Sequence, residues 1–150
     1  MAKSGLPAPT PIALVLCDNV YKASNGKQAL VGLFNRVVAT SFPAIVPRLC
    51  AYVSITSVRP NTTVEFEIVH GETDEPVIRV NGPAPSSLGD PTTVWDAVFE
   101  MEPIVFPTAG RYYARFLGNG QTLVQRHFEV IDANSLKNEQ NEENEDVDEE

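Results

Sequence analysis

The sequence predicts an all-β domain, an antiparallel sandwich of seven to eight strands. Three observations carry this reading. Apolar residues recur with a period of two, not the ~3.6 of a helix. Turn signals bound each alternating run at short intervals. Twelve prolines fall at turns and run ends, and no segment carries the stripe of an amphipathic helix. Regular spacing of this kind is the pattern of an immunoglobulin-like sandwich.

The elements follow in order. Residues 1–11 are rich in proline and alanine and are expected to be a flexible lead. The domain is expected over 12–132, beginning with the strand 12–21. Asn25-Gly26 turns the chain into 27–39, "KQALVGLFNRVVA". This run is apolar on both sides, which suits a central strand covered on both faces. A dimer interface would leave the same pattern, but the interior reading is favoured because no separate element is in view to cover an outer face. Gly32 within it suggests a bulge or a close backbone approach. Residues 42–47, "FPAIVP", read as an extended linker packed across an end of the core. Strands are then expected over 48–58 and 62–70, joined by Arg59-Pro60-Asn61, and over 77–80. A longer polar crossing occupies 82–91.

In 62–70, Val64, Phe66 and Ile68 alternate with Glu65, Glu67 and Val69. In 94–101, Trp95, Ala97, Phe99 and Met101 form the inward set. In 111–117 the inward set is Tyr112, Ala114 and Phe116, and Asn119-Gly120 turns the chain into 121–130. Asn-Gly suits a tight hairpin because both residues tolerate positive φ. Residues 133–150 have almost no apolar content and are expected to be a disordered acidic tail.

Charge is concentrated in that tail. The net charge is −9. Eight carboxylates and Lys137 give residues 134–150 a charge of −7, which leaves −2 for residues 1–133. A nearly neutral body with an anionic tail repels phosphate backbones, so a nucleic-acid partner is not expected. The stretch "IALVLC" (12–17) is too short to cross a bilayer. It lacks the basic approach and the small residue before cysteine that a lipoprotein signal needs. A cytoplasmic protein without a membrane partner is expected. Cys17 and Cys50, both in apolar runs, read as reduced, buried thiols rather than a disulfide or a metal pair.

The search for catalytic chemistry is largely negative. No phosphate-binding loop, nucleophile elbow or zinc-protease motif is present. "GNGQTL" (118–123) joins two strands and is a hairpin turn. His70 with Glu72 and Asp74 is the one triplet that could meet a divalent cation, and polar loops carry such triplets by chance. His127 falls on a polar strand face. Glu65 and Glu67 point one way on what reads as a solvated face, where Arg79, Arg115 and Arg126 would complete a charge ladder. Trp95 reads as core, and Tyr21 and Tyr113 as partly exposed.

Cys17-Asp18 after the first strand, Gly32-Leu33-Phe34, the Phe42-Pro43 bend and the run from Phe106 to Tyr112 (Phe-Pro-x-x-Gly-x-Tyr) together resemble a known family. It is an uncharacterised bacterial family of small cytoplasmic proteins, a domain of unknown function, and the resemblance covers residues 13–130. It implies a β-sandwich, no established activity and no catalytic residues to carry over. Separately, Gly110-x-Tyr112 matches by fold-level analogy the corner where a tyrosine hydroxyl bonds back to the backbone.

The function expected is a non-enzymatic interaction or structural module. It would have an unknown protein partner, no cofactor and no metal, and could form a homodimer. Its candidate surface comprises Phe42, Pro43, Tyr113 and, in the tail, Glu145 and Asp146. One alternative is a small-ligand or carbohydrate-binding sandwich using the 42–47 and 82–91 loops. A second is an unrecognised enzyme or metal site at His70.

Overall fold

The structure, a computed structural model, describes residues 8–83 and 90–136. Among them are eleven strands: β1 (Thr10–Lys22), β2 (Gln28–Leu33), β3 (Arg36–Ala39), β4 (Ala44–Val46), β5 (Leu49–Thr56), β6 (Val64–His70), β7 (Pro76–Asn81), β8 (Trp95–Met101), β9 (Ile104–Phe106), β10 (Gly110–Gly118) and β11 (Gln121–Asp132). A first sheet has the order β2-β1-β5-β8 and a second the order β3-β11-β10-β6-β7. A ribbon of β4 and β9 completes the set. Residues 133–136 form one helical turn, and residues 137–150 of the expected tail lie outside the described residues.

Eleven strands replace the expected seven to eight for two reasons. The 27–39 run is not one interior strand but two, β2 and β3, which lie at edges of different sheets. The short β4 and β9 pair through Ala44↔Phe106 and Val46↔Ile104, where a linker was expected. Nor is the fold wholly antiparallel: β3 runs parallel to β11, from Glu129↔Arg36 to Asp132↔Ala39.

The inner faces follow the sequence period. Val64, Phe66 and Ile68, then Ala97, Phe99 and Met101, then Tyr112, Ala114 and Phe116 are all buried. They meet Leu14, Leu16, Ala51, Val53 and Ile55 in one core cluster drawn from both sheets. Phe66 of the second sheet stacks on Phe99 of the first, with ring centroids 5.4 Å apart. Each large apolar side chain of this cluster contributes ~1.5–3 kcal/mol by leaving water. Trp95 is half-buried and packs on the edge of this cluster.

Two turns illustrate local control. At Asn119-Gly120 both residues have positive φ (52° and 77°), as a tight two-residue hairpin requires. At Asn25-Gly26 only Gly26 does (87°), because the loop is longer and closes through Ala23 N–H to Lys27 C=O at 2.7 Å. At the start of β10, the buried Tyr112 hydroxyl donates to the Thr108 carbonyl at 2.7 Å, as the sequence analogy anticipated.

Candidate functional site

The outer face of the first sheet carries a group of exposed apolar side chains. In the β1–β2 hairpin the register pairs Cys17 with Leu33, Asn19 with Val31 and Tyr21 with Ala29. Directly opposed residues share a face, so Tyr21, Ala29, Val31 and Leu33 lie together. Leu33 is 65% exposed, Tyr21 57% and Val31 49%. The same face continues across β5 and β8 through Tyr52 and its partner Val98, both half-buried. β2 is the end strand of its sheet, so its outer edge faces no further strand among the described residues. The sequence "QALVGL" supplies no charge to blunt that edge.

Gly32 sets the hairpin's shape. Its φ is +76°, and a Cβ there would collide with the Asp18 carboxylate. The close approach expected at this glycine is therefore present, between strands at a sheet edge rather than inside the core.

On this same face, farther from the β1–β2 turn, Cys17 and Cys50 oppose each other on β1 and β5. Both are free and fully buried. Burial pushes both thiols above their ordinary range, and for Cys17 the neighbouring Cys50 adds to the effect. A raised thiol keeps its proton, so neither is primed as a nucleophile. Arg48, beside Cys50, is held to Glu100 (3.1 Å) and to Glu102.

The second sheet's outer face is different in kind. Glu67 is only 4% exposed, although it was expected on a solvated face. Arg79 reaches it at 2.6 Å and Arg115 at 3.5 Å, and their side chains close over the carboxylate. Arg115 also holds Asp74 at 2.9 Å. The expected ladder thus contains Arg79 and Arg115 but not Arg126, which instead bonds the Leu14 carbonyl and Asn35. Arg126 lies in phase with the buried Phe128 and Val130, so it faces inward from the rim of the sheet.

The sequence-predicted site residues do not converge. Phe42 is half-buried and packs on the core, whereas Pro43 beside it is exposed. Tyr113 lies on the second sheet's outer face, its ring 6.4 Å from that of His127 and 5.9 Å beneath the Arg115 guanidinium. Glu145 and Asp146 lie outside the described residues. His70 is engaged through both ring nitrogens: Nδ1 accepts the Glu72 N–H at 3.2 Å and Nε2 is 3.2 Å from the Thr108 hydroxyl. It lines an open depression of about 440 Å³ with Glu75, Val77 and Val105. Among the described residues, no three His, Cys, Asp or Glu side chains are grouped to hold a metal ion. Nor is any described helix long and apolar enough to cross a membrane.

The residues missed in the sequence are Tyr21, Val31 and Leu33 as a shared exposed face. Their signal was the uncharged stretch 28–35 within the 27–39 run, which a covered central strand imitates.

Comparison with known proteins adds a family and two distant folds. No curated protein sequence matches the chain. An immunoglobulin-like protein from Pseudomonas aeruginosa aligns over 85% of this chain and 98% of its own, at 10% identity and a TM-score of 0.43. The alkylpurine DNA glycosylase AlkC from Pseudomonas fluorescens, solved bound to DNA containing an abasic-site analogue, aligns over 79% of this chain at 15% identity and a TM-score of 0.46. This chain spans only 30% of the glycosylase. Residues 12–131 match a family of unknown function, DUF6941, and the chain belongs to that family.

Proposed function

We propose that the two sheets form an immunoglobulin-like sandwich and that the protein is a non-enzymatic interaction module of the cytoplasm. Its docking surface is the outer face and open edge of β2, and its partner is a protein strand that extends the first sheet. The carrying observation is the cluster of Tyr21, Val31 and Leu33, exposed side by side on an edge strand without charge. Single exposed apolar residues are ordinary; a contiguous set marks an interface. A strand added at an open edge gains main-chain hydrogen bonds, and the flanking apolar side chains supply specificity. The Tyr112–Thr108 corner supports the sandwich reading. This reading requires no cofactor, metal, nucleic acid or membrane.

The test compares the full chain with Leu33→Ser and with Ile45→Ser, an exposed apolar residue on β4. Affinity capture and sedimentation velocity are run on all three. A partner that is held by wild type and Ile45→Ser but lost by Leu33→Ser supports the proposal. Equal capture by all three overturns it. Concentration-dependent dimers abolished only by Leu33→Ser identify the partner strand as β2 of a second copy.

A further inference from the structure

Cys17 on β1 and Cys50 on β5 are the two cysteines of the chain, and the antiparallel register sets them directly opposite each other. Side chains opposed in this way leave the same face of a sheet. Opposed residues of an antiparallel pair have Cα atoms ~4.5–5.5 Å apart, inside the ~4.4–6.8 Å that a disulfide spans. Joining them therefore needs no backbone movement. The Cys50 sulfur already reaches across to β1, where its thiol donates to the Asp18 carbonyl at 3.6 Å, next to Cys17. Both sulfurs are free and both residues fully buried.

The neighbours of the pair differ on its two sides. Leu33, near the end of β2, opposes Cys17. β2 is an end strand, and the end of such a strand frays at far less cost than global unfolding. On the other side Glu100 opposes Cys50 and is held by Arg48 at 3.1 Å. The Arg48 Nε is buried, with no hydrogen-bond partner among the described residues. Burial raises the Cys50 thiol and Arg48 works against that rise. A guanidinium beside a sulfur favours its thiolate. The row thus has an edge that opens beside one sulfur and a cation beside the other.

We infer that Cys17 and Cys50 form a redox modification site, which a peroxide closes into a disulfide across β1 and β5 and a small thiol reopens. With hydrogen peroxide the step balances. The Cys50 thiolate attacks one peroxide oxygen; an S–O bond forms, the O–O bond breaks and the second oxygen leaves as water. The Cys17 sulfur then displaces the sulfenic oxygen; the S–S bond forms, the S–O bond breaks and a second water leaves. Two electrons pass from the sulfurs to the peroxide, and both thiol protons end in water. Two equivalents of a small thiol reverse the bridge by exchange and are left joined as a disulfide. Both cysteines keep their protons at rest, so closure is slow and the pair stays reduced until peroxide rises. Closure encloses β2, β3 and β4 in one covalent loop, which restricts the unfolded chain. It also removes the thiol hydrogen bond to Asp18, the residue whose carboxylate lies against Gly32 in β2. This site does not depend on docking at β2.

The test treats the full native chain with hydrogen peroxide and reads intact mass, thiol content and a non-reducing peptide map. Wild type should lose the mass of two hydrogens and both free thiols, at a rate unchanged on dilution, with Cys17 joined to Cys50 in the map. Dithiothreitol should restore both thiols. The bridged chain should gain on the order of a hundredfold in its folding constant. Its Asp18 and Gly32 amides should shift while those of Phe66 and Phe116 stay. Cys17→Ser, which cannot close, should hold Cys50 as a sulfenic acid that dimedone captures. Oxygen added to wild-type sulfur without a bridge, bridges between chains or thiols left untouched in the folded protein each overturn the inference. So do a bridged chain less stable than the reduced one and a folded Cys17→Ser chain with no capture at Cys50.

Discussion

The two sheets share a core, yet their outer faces are finished in opposite ways. The second sheet covers its outer face with charge: Arg79 and Arg115 enclose Glu67, Arg111 holds Glu129, and Tyr113 lies against His127. The first sheet leaves Tyr21, Val31 and Leu33 exposed on an end strand. Both finishes allow the same fold, because folding is driven from the inner faces. The difference teaches that the inner faces can fix a fold while leaving the chemistry of the outer faces free. A charge lattice keeps a face soluble and single; an apolar edge invites a second chain.

The inner faces set the scale for this contrast. Phe66→Ala should cost ~3–5 kcal/mol, since it removes the ring stacked on Phe99 and leaves a cavity between the sheets. A urea or guanidinium titration would read this as a large fall in midpoint at unchanged slope. A loss below ~1 kcal/mol would mean that the two sheets do not share a tight core.

The next largest effect belongs to the charged face. Glu67→Ala removes a nearly buried carboxylate shared by Arg79 and Arg115 and should cost ~1–3 kcal/mol. Glu129→Ala removes an exposed partner of Arg111 and should cost ~0–1 kcal/mol. Equal costs in the same denaturation assay would show that Glu67 is no more than a surface ion pair, and the lattice would lose its centre.

Much of this architecture was legible in the sequence, and the exceptions have physical causes. Where one face is apolar and the other charged, as in β6 and β10, alternation gave both the strand and its inward side. In β2 and β3 both faces are apolar, and period alone cannot separate a covered central strand from an exposed edge. Glu67 was misread because its burial depends on arginines from β7 and β10, which only the assembled sheet brings over it. The parallel pairing of β3 with β11 joins residues some ninety positions apart, from Arg36 to Glu129, and no local signal reports it. β4 and β9, three residues each, are too short to show a period. For the candidate site, the uncharged run was visible but its exposure was not. Phe42 and Tyr113, expected on one candidate surface, face different surroundings: Phe42 packs on the core, and Tyr113 lies beside His127 and Arg115 on the second sheet's outer face.

Alkaline pH gives a smaller handle on the first sheet. Cys17 and Cys50 have folded-state pKa values raised above their unfolded ones by burial. Their contribution is fully present below the ordinary thiol value of ~8.5, and it is lost as pH rises through the raised folded values. Stability should therefore fall on the alkaline side of that value. Tyr52, also pushed up by burial first and then by its hydrogen bond to Asp96, extends the fall to higher pH. The double variant Cys17→Ala with Cys50→Ala should flatten the early part of this slope. If it leaves the slope unchanged, thiol burial is not its cause.

The smallest expected effect on folding is at Leu33, and it separates fold from function most cleanly. Leu33→Ser should change unfolding free energy by no more than ~0.5 kcal/mol, because the side chain is mostly in water already. Ile68→Ser, the same kind of change on the inner face, should cost several-fold more, since it buries a hydroxyl and opens a void. A folded chain that loses association at Leu33→Ser would make β2's exposure a binding feature. If Leu33→Ser instead destabilises the chain as much as Ile68→Ser, that leucine is covered in the native protein, and the contrast between the two outer faces disappears.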